Sequence, residues 1–263
     1  MKEQQTPEKE EQTLTSHLVE LRERLIRTLL IILAIFLGLF YFANDLYTYL
    51  SAPLTQYLPE NSTMIATDVT SPFFAPFKLA IVLSLYVAMP FILHQFWSFI
   101  SPGLYKHERR LAIPLLASSI ILFYTGMAFA YFVVFPLMFE FFTSVGPENV
   151  TVMTDISSYL TLVLKLLLAF GIIFEIPIAT LLLIWSGITT AAALREKRPY
   201  IIVGCFAIGM LMTPPDPISQ SLLAIPMWFL FEAGLFMSTV FVRKPADESE
   251  DEDEGDSSLE ESK

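Results

Sequence analysis

The apolar residues of this chain gather into six runs, at residues 25–42, 73–100, 113–135, 159–185, 200–212 and 218–240, with polar and proline-rich stretches between them. A helix needs about 20 apolar residues to cross a hydrocarbon core about 30 Å thick, and most of these runs come close to that length or exceed it. The second is long enough to tilt or to extend past the core. The fifth has only 13 residues, about 20 Å of helix at 1.5 Å per residue, and falls short. Immediately after it, Thr213-Pro214-Pro215-Asp216-Pro217 forces a turn, because proline lacks an amide donor and disfavours helix in the residue before it.

Basic residues decide whether the fifth run crosses. Lys2, Lys9, Arg22, Arg24 and Arg27 precede or enter the first run. Lys106, Arg109 and Arg110 lie between the second and third, Arg195, Lys197 and Arg198 between the fourth and fifth, and Arg243, Lys244 and Lys263 after the sixth. Residues 43–72, 136–158 and 213–217 contain no Lys or Arg. Cation-rich loops stay cytoplasmic, so both termini are expected on that side. The basic clusters flanking the last two runs share a side only if that pair goes across and back. The expected fold is therefore all-α, with six transmembrane helices over residues 25–242, helices 5 and 6 short or kinked, and a cytoplasmic N-terminal segment at 1–24. Pro90, Pro177 and Pro226 each remove a helix hydrogen bond and are expected to open a kink. No repeat relates the two halves, which weakens an inverted-repeat transporter reading.

Composition agrees with this picture: 54% of residues are hydrophobic and the mean hydropathy is +0.57. The net charge of −11 misleads, because residues 245–263 hold ten acidic side chains against one Lys. Residues 243–263 are expected to be a disordered acidic cytoplasmic tail, read as a solvated end or an interaction segment. Nothing is basic enough to suggest nucleic acid. The single Cys205 excludes an internal disulfide, and His17, His94 and His107 lack metal-ligand spacing. Phosphate-binding and dinucleotide glycine motifs, a nucleophile elbow, H-E-x-x-H and C-x-x-C are all absent. No cofactor, metal site or catalytic residue is expected, and the chain does not read as an enzyme. Its first 24 residues are polar, so no cleavable signal peptide is expected.

Four constellations remain. In Ser16-His17-Leu18-Val19-Glu20-Leu21-Arg22-Glu23-Arg24-Leu25, Glu20 and Arg24 stand at i,i+4 and can form an ordinary intrahelical ion pair. Residues 101–110 can be read as a solvated, topology-setting loop. Glu175, two residues before Pro177, is set deep in the fourth run, where a charge costs about 2.5–3.5 kcal/mol on insertion scales and usually faces protein or a hydrated cavity. Lys78 and Lys165 are candidate counter-charges, or they snorkel to the outer interface. Glu232 lies in the sixth run. Thr213 to Asp216 with Gln220 is a polar knot in which Asp216 before Pro217 reads as a helix N-cap.

Together these segments resemble TatC, the multispanning subunit of the twin-arginine protein translocase. The residues that carry the likeness are SHLVELRERL (16–25), FWSFISPGLYKHERR (96–110), AFGIIFEIP (169–177), KRPYIIVG (197–204) and TPPDPISQSLLAIP (213–226). It runs from about residue 14 to 244 and is strongest toward gamma-proteobacterial members. The resemblance implies a concave, glove-like bundle in the bacterial cytoplasmic membrane. It also implies recognition of twin-arginine signal peptides, partnership with the single-span proteins TatA and TatB in an oligomer, and export of folded proteins driven by the proton-motive force.

Residue by residue, the resemblance places Glu20 and Glu108 where the family's carboxylates meet the two arginines. A guanidinium favours a planar bidentate acceptor, which a carboxylate supplies. Arg22 and Arg110 would orient these carboxylates, and Phe99 would touch the apolar stretch of the peptide. Glu175 falls on the family's membrane-embedded glutamate, expected to hold water or a partner's polar residue. Met210, Thr213 and Gln220 map to a partner-helix face, and Pro53 and Asp216 to outer loops. Glu140 and Lys165 depart from the closest members. The alternative function is a secondary transporter or ion channel that uses Glu175; an intramembrane protease ranks third.

Overall fold

The computed structural model describes residues 7–57, 64–100, 112–144, 153–213 and 216–241. Among them the chain is helical, with one π-turn and one isolated β-bridge. Helix α1 (Pro7–Phe40) provides the first crossing. Leu25, Leu29, Leu33 and Leu37 recur every fourth residue and are at least half exposed, so they form a stripe toward lipid. Another part of the helix packs on α3, where Phe36 and Phe40 meet Phe77 edge-on at 5.6 and 5.9 Å. Helix α2 (Ala43–Tyr57) turns away by 82°. The apolar run at 25–42 thus ends in a sharp corner, and a separate, more polar helix follows it.

Helices α3 (Ser71–Val87) and α4 (Met89–Ile100) form the second crossing, bent by 45°. The cause is Pro90, which has no amide to offer the Tyr86 carbonyl four residues earlier. The Tyr124 hydroxyl donates to that carbonyl at 3.1 Å, so the elbow is closed by a side chain of the next crossing. That crossing is α5 (Ala112–Phe129), a π-turn (Ala130–Val134) and α6 (Phe135–Ser144). It extends past the run at 113–135. The π-turn stands just before Pro136, which cannot serve the carbonyl of Phe132.

Helices α7 (Ile156–Ile173) and α8 (Ile176–Trp185) make the fourth crossing, interrupted at Phe174 and Glu175. After the short α9 (Ala191–Glu196), α10 (Arg198–Met212) has 15 residues, about 22 Å of helix. Helix α11 (Pro217–Phe241) returns and runs helically through Pro226. Prolines therefore break the helix at two of the three expected positions, Pro90 and Pro177. At Pro226 the lost hydrogen bond does not end the helix.

Tyr86, Phe123, Phe135, Met138, Phe170 and Leu223 are fully buried in the main core, between α3, α5, α6, α7 and α11. Apolar side chains gain little from leaving lipid, so close backbone approach matters more. A Cβ at Gly126 would collide with the Phe170 carbonyl, one at Gly171 with the Phe123 ring, and one at Gly234 would lie 2.7 Å from Pro177 Cα. These glycines let α5 meet α7 and α11 meet α8.

On the side away from the basic loops, Ile65 and Asp155 pair in a parallel bridge, with Ile65 N donating to Thr154 O and Ile156 N to Ile65 O, both at 3.0 Å. Asp155 caps α7 by accepting from Ser158 N at 2.9 Å. Its other oxygen accepts from Thr67 N at 3.1 Å and Thr67 Oγ1 at 2.8 Å. These donors hold its carboxyl down to about 2.

Candidate functional site

The basic end of the bundle carries the first cluster. Arg24 Nη2 meets Glu20 Oε1 at 2.6 Å, with Nε on the same oxygen at 3.1 Å. The other arm of Arg24 reaches across to α4, where Nη1 donates to Gln95 O at 3.3 Å and Gln95 Oε1 at 3.2 Å. The i,i+4 ion pair read from the sequence is thus present and also ties α1 to α4. Glu20 keeps 45% of its side chain exposed, and no described residue donates to its Oε2. Arg22, two residues on and therefore on another face of α1, is exposed. The guanidinium that meets Glu20 among the described residues is that of Arg24. Phe99 is exposed on α4, one turn beyond Gln95. Glu108 and Arg110 lie outside the described residues. Sequence reading missed Gln95, although His94-Gln95 is a polar pair inside an apolar run.

The second cluster surrounds Glu175, which occupies the N-cap position of α8 without capping it. The residue is half-buried, and its Oε1 is buried with no hydrogen-bond partner among the described residues. The Ser119 hydroxyl of α5 stands beside the carboxyl, and Trp97 Nε1 of α4 donates to Ser119 Oγ at 3.3 Å. The break in the helix presents a carboxylate where three crossings converge. Neither candidate counter-charge pairs with it among the described residues; Lys78 Nζ donates instead to Thr161 Oγ1 at 2.7 Å. Glu232 meets Arg198 at 2.5 Å, fastening α11 to the start of α10.

The third cluster lies at the far end of α10. Met210 is 59% exposed. Thr213 is buried and donates to Gly209 O at 2.9 Å. Gln220 Nε2 donates to Phe206 O at 2.7 Å, holding α11 against α10. Asp216 Oδ1 accepts from Ser219 N at 2.7 Å, the N-cap geometry read from the sequence. Pro53 lies in α2, apart from these residues along the chain.

Comparison with known proteins shows the family and the fold. The family described as Sec-independent protein translocase protein (TatC) matches residues 16–226. A Sec-independent protein translocase protein TatC from Azotobacter chroococcum is 63% identical over 223 residues, covering 85% of this chain and 88% of the relative. The Escherichia coli K12 protein of the same name is 59% identical over 233 residues, 89% of this chain and 90% of its own. Among solved structures, a crystal structure of the twin-arginine translocase receptor TatC superposes with a TM-score of 0.77 at 40% identity, covering 86% of this chain and all of that one. The chain has the six-helix fold of that structure, is a multi-pass membrane protein and a translocase component, and belongs to the TatC family.

Proposed function

We propose that this protein is the signal-peptide receptor of a twin-arginine translocase in the bacterial cytoplasmic membrane, with both termini cytoplasmic. The observation that carries this reading is the Glu20 carboxylate. One oxygen is fixed by Arg24, which is itself anchored to Gln95 on α4, and the other is left without a donor among the described residues. A carboxylate oriented this way at an exposed helix face is a ready acceptor for an incoming guanidinium. Phe99 on the adjoining helix offers apolar surface for the segment that follows the arginines. Glu108 supplies the second acceptor and Arg110 orients it, while Arg22 adds to the field around Glu20. Lysine, lacking the fork, would bind less well.

Glu175 then receives a polar group or water inside the membrane, which fits an acceptor oxygen with no donor of its own. Met210 and Gln220, braced by the buried Thr213 behind them, form the face for a single-span partner of the TatA or TatB kind, with Asp216 and Pro53 at the outer rim. Transport of folded cargo draws on the proton-motive force. Site-specific photocrosslinking from positions 20 and 108 tests the receptor role. An Arg-Arg signal peptide should crosslink in membranes and a Lys-Lys control should not. Equal crosslinking by both peptides, or none by either in well-folded protein, would sink the assignment.

A further inference from the structure

Two cations within the membrane-crossing helices, Lys78 and Lys165, have no part in the receptor role. The loops away from the basic side contain no Lys or Arg, and Lys78 and Lys165 are the cations in the outer halves of the crossings. Lys78 lies seven residues into α3 and Lys165 nine into α7, about 10 and 14 Å from the outer ends of these helices. Side chains lean toward a helix's N-terminus. Both N-termini are outer, so both ammonium groups extend toward the headgroups of that leaflet.

The surroundings are those of an anion site. Ser157, Thr161 and Lys165 succeed one another at four-residue spacing on one face of α7. Lys78 Nζ reaches that face by donating to Thr161 Oγ1 at 2.7 Å, and Thr161 in turn donates to Ser157 O at 2.6 Å. This leaves Lys78 two N–H donors and Lys165 three. Both lysines are exposed, and among the described residues neither has a carboxylate partner. Asp155, at the mouth of α7, already accepts from Thr67 and Ser158.

Two adjoining cavities share Ser157. One, of about 380 Å³, carries Ser158, Thr161 and Lys165. The other, of about 320 Å³, carries Lys78 beside the apolar Phe74, Phe77, Ile81 and Leu160. A cationic and hydroxyl-bearing rim thus continues into an apolar groove, matching a ligand with an anionic head and a hydrocarbon tail. We propose that the free N–H groups of Lys78 and Lys165, with the Ser158 hydroxyl, bind the phosphate of an anionic phospholipid of the outer leaflet, its acyl chain lying along the apolar groove, while Thr161 and Ser157, whose hydroxyls donate to Ser157 O and Ser71 Oγ, hold the rim in place.

Native mass spectrometry of the full chain, released from mixed phosphatidylglycerol and phosphatidylcholine membranes, tests this. A surface lysine contributes roughly a fivefold gain in affinity for an anionic lipid. Lys165→Ala should therefore lower phosphatidylglycerol retention about fivefold and Lys78→Ala/Lys165→Ala about 25-fold. Lys165→Arg should retain it, and Lys165→Glu should abolish it in a chain of unchanged helicity. Excess inorganic phosphate should not displace the lipid. Equal retention by wild type and the double variant would overturn the proposal. So would displacement by phosphate alone, or a photocrosslinker at position 165 that captures a partner's transmembrane helix in place of lipid.

Discussion

Tyr124→Phe is the sharpest test of how the second crossing is bent. Pro90 strips the Tyr86 carbonyl of its usual donor, and the Tyr124 hydroxyl replaces it at 3.1 Å. The ring occupies the same volume in phenylalanine, so the substitution removes one hydrogen bond and little packing. Side-chain hydrogen bonds between membrane helices average about 0.6 kcal/mol and reach about 1.7 kcal/mol. Tyr124 is partly exposed, which argues against the upper end, so the expected loss is about 1 kcal/mol. The assay is reversible unfolding in lipid bicelles, run as a double-mutant cycle with Pro90→Ala. Alanine restores the amide that serves Tyr86 O, so Tyr124→Phe should then cost almost nothing, and the coupling energy should equal the single-variant loss. The same penalty in both backgrounds would refute the claim that the hydroxyl compensates for the proline.

Other consequences can be checked separately. Gly126→Val should reduce the yield of folded protein sharply, because its Cβ meets the Phe170 backbone and overpacking of this kind costs about 1–3 kcal/mol or more. Gly38→Ala, which meets nothing within 4 Å, should be tolerated; thermal unfolding in detergent distinguishes the two. Asp155 is held at about 2, below its ordinary value near 3.8, so its contribution is complete above that ordinary value and is lost as pH falls from about 4 toward 2. Hydrogen exchange at the Ile65 and Ile156 amides should accelerate over that window in wild type, and Asp155→Asn should remove the pH dependence. Glu175→Ala should depress transport of folded cargo more than binding of an Arg-Arg peptide; equal loss of both would count against a role inside the membrane.

Much of the fold was legible because two independent signals agree in a membrane. Apolar run length marks the crossings, and Lys/Arg distribution rescues the one that length would reject, α10. Details that depend on neighbours were not legible. Pro90 and Pro226 look alike in sequence, yet the helix breaks at one and continues through the other. A proline specifies a missing hydrogen bond, while packing around it decides the bend. Helix α2 escaped notice because the corner at Phe40 separates it from the apolar run that precedes it. Asp155 escaped notice as a staple because its partner Thr67 lies 88 residues away.

The candidate site shows the same division. Glu20 and Arg24 could be read as a bland ion pair, and the pair is there, but its consequence lies outside the helix that contains it. By engaging Gln95 as well, Arg24 makes the position of Glu20 depend on α4. Trp97, half a turn along the same helix, bonds to the serine beside Glu175, and Phe99 is exposed another half-turn on. The angle set at Pro90 therefore fixes three things at once: the carboxylate at the basic face, the apolar surface next to it, and the polar contact inside the membrane. A change that relaxes the elbow should move all three together, whereas a substitution at Gln95 alone should disturb only the first.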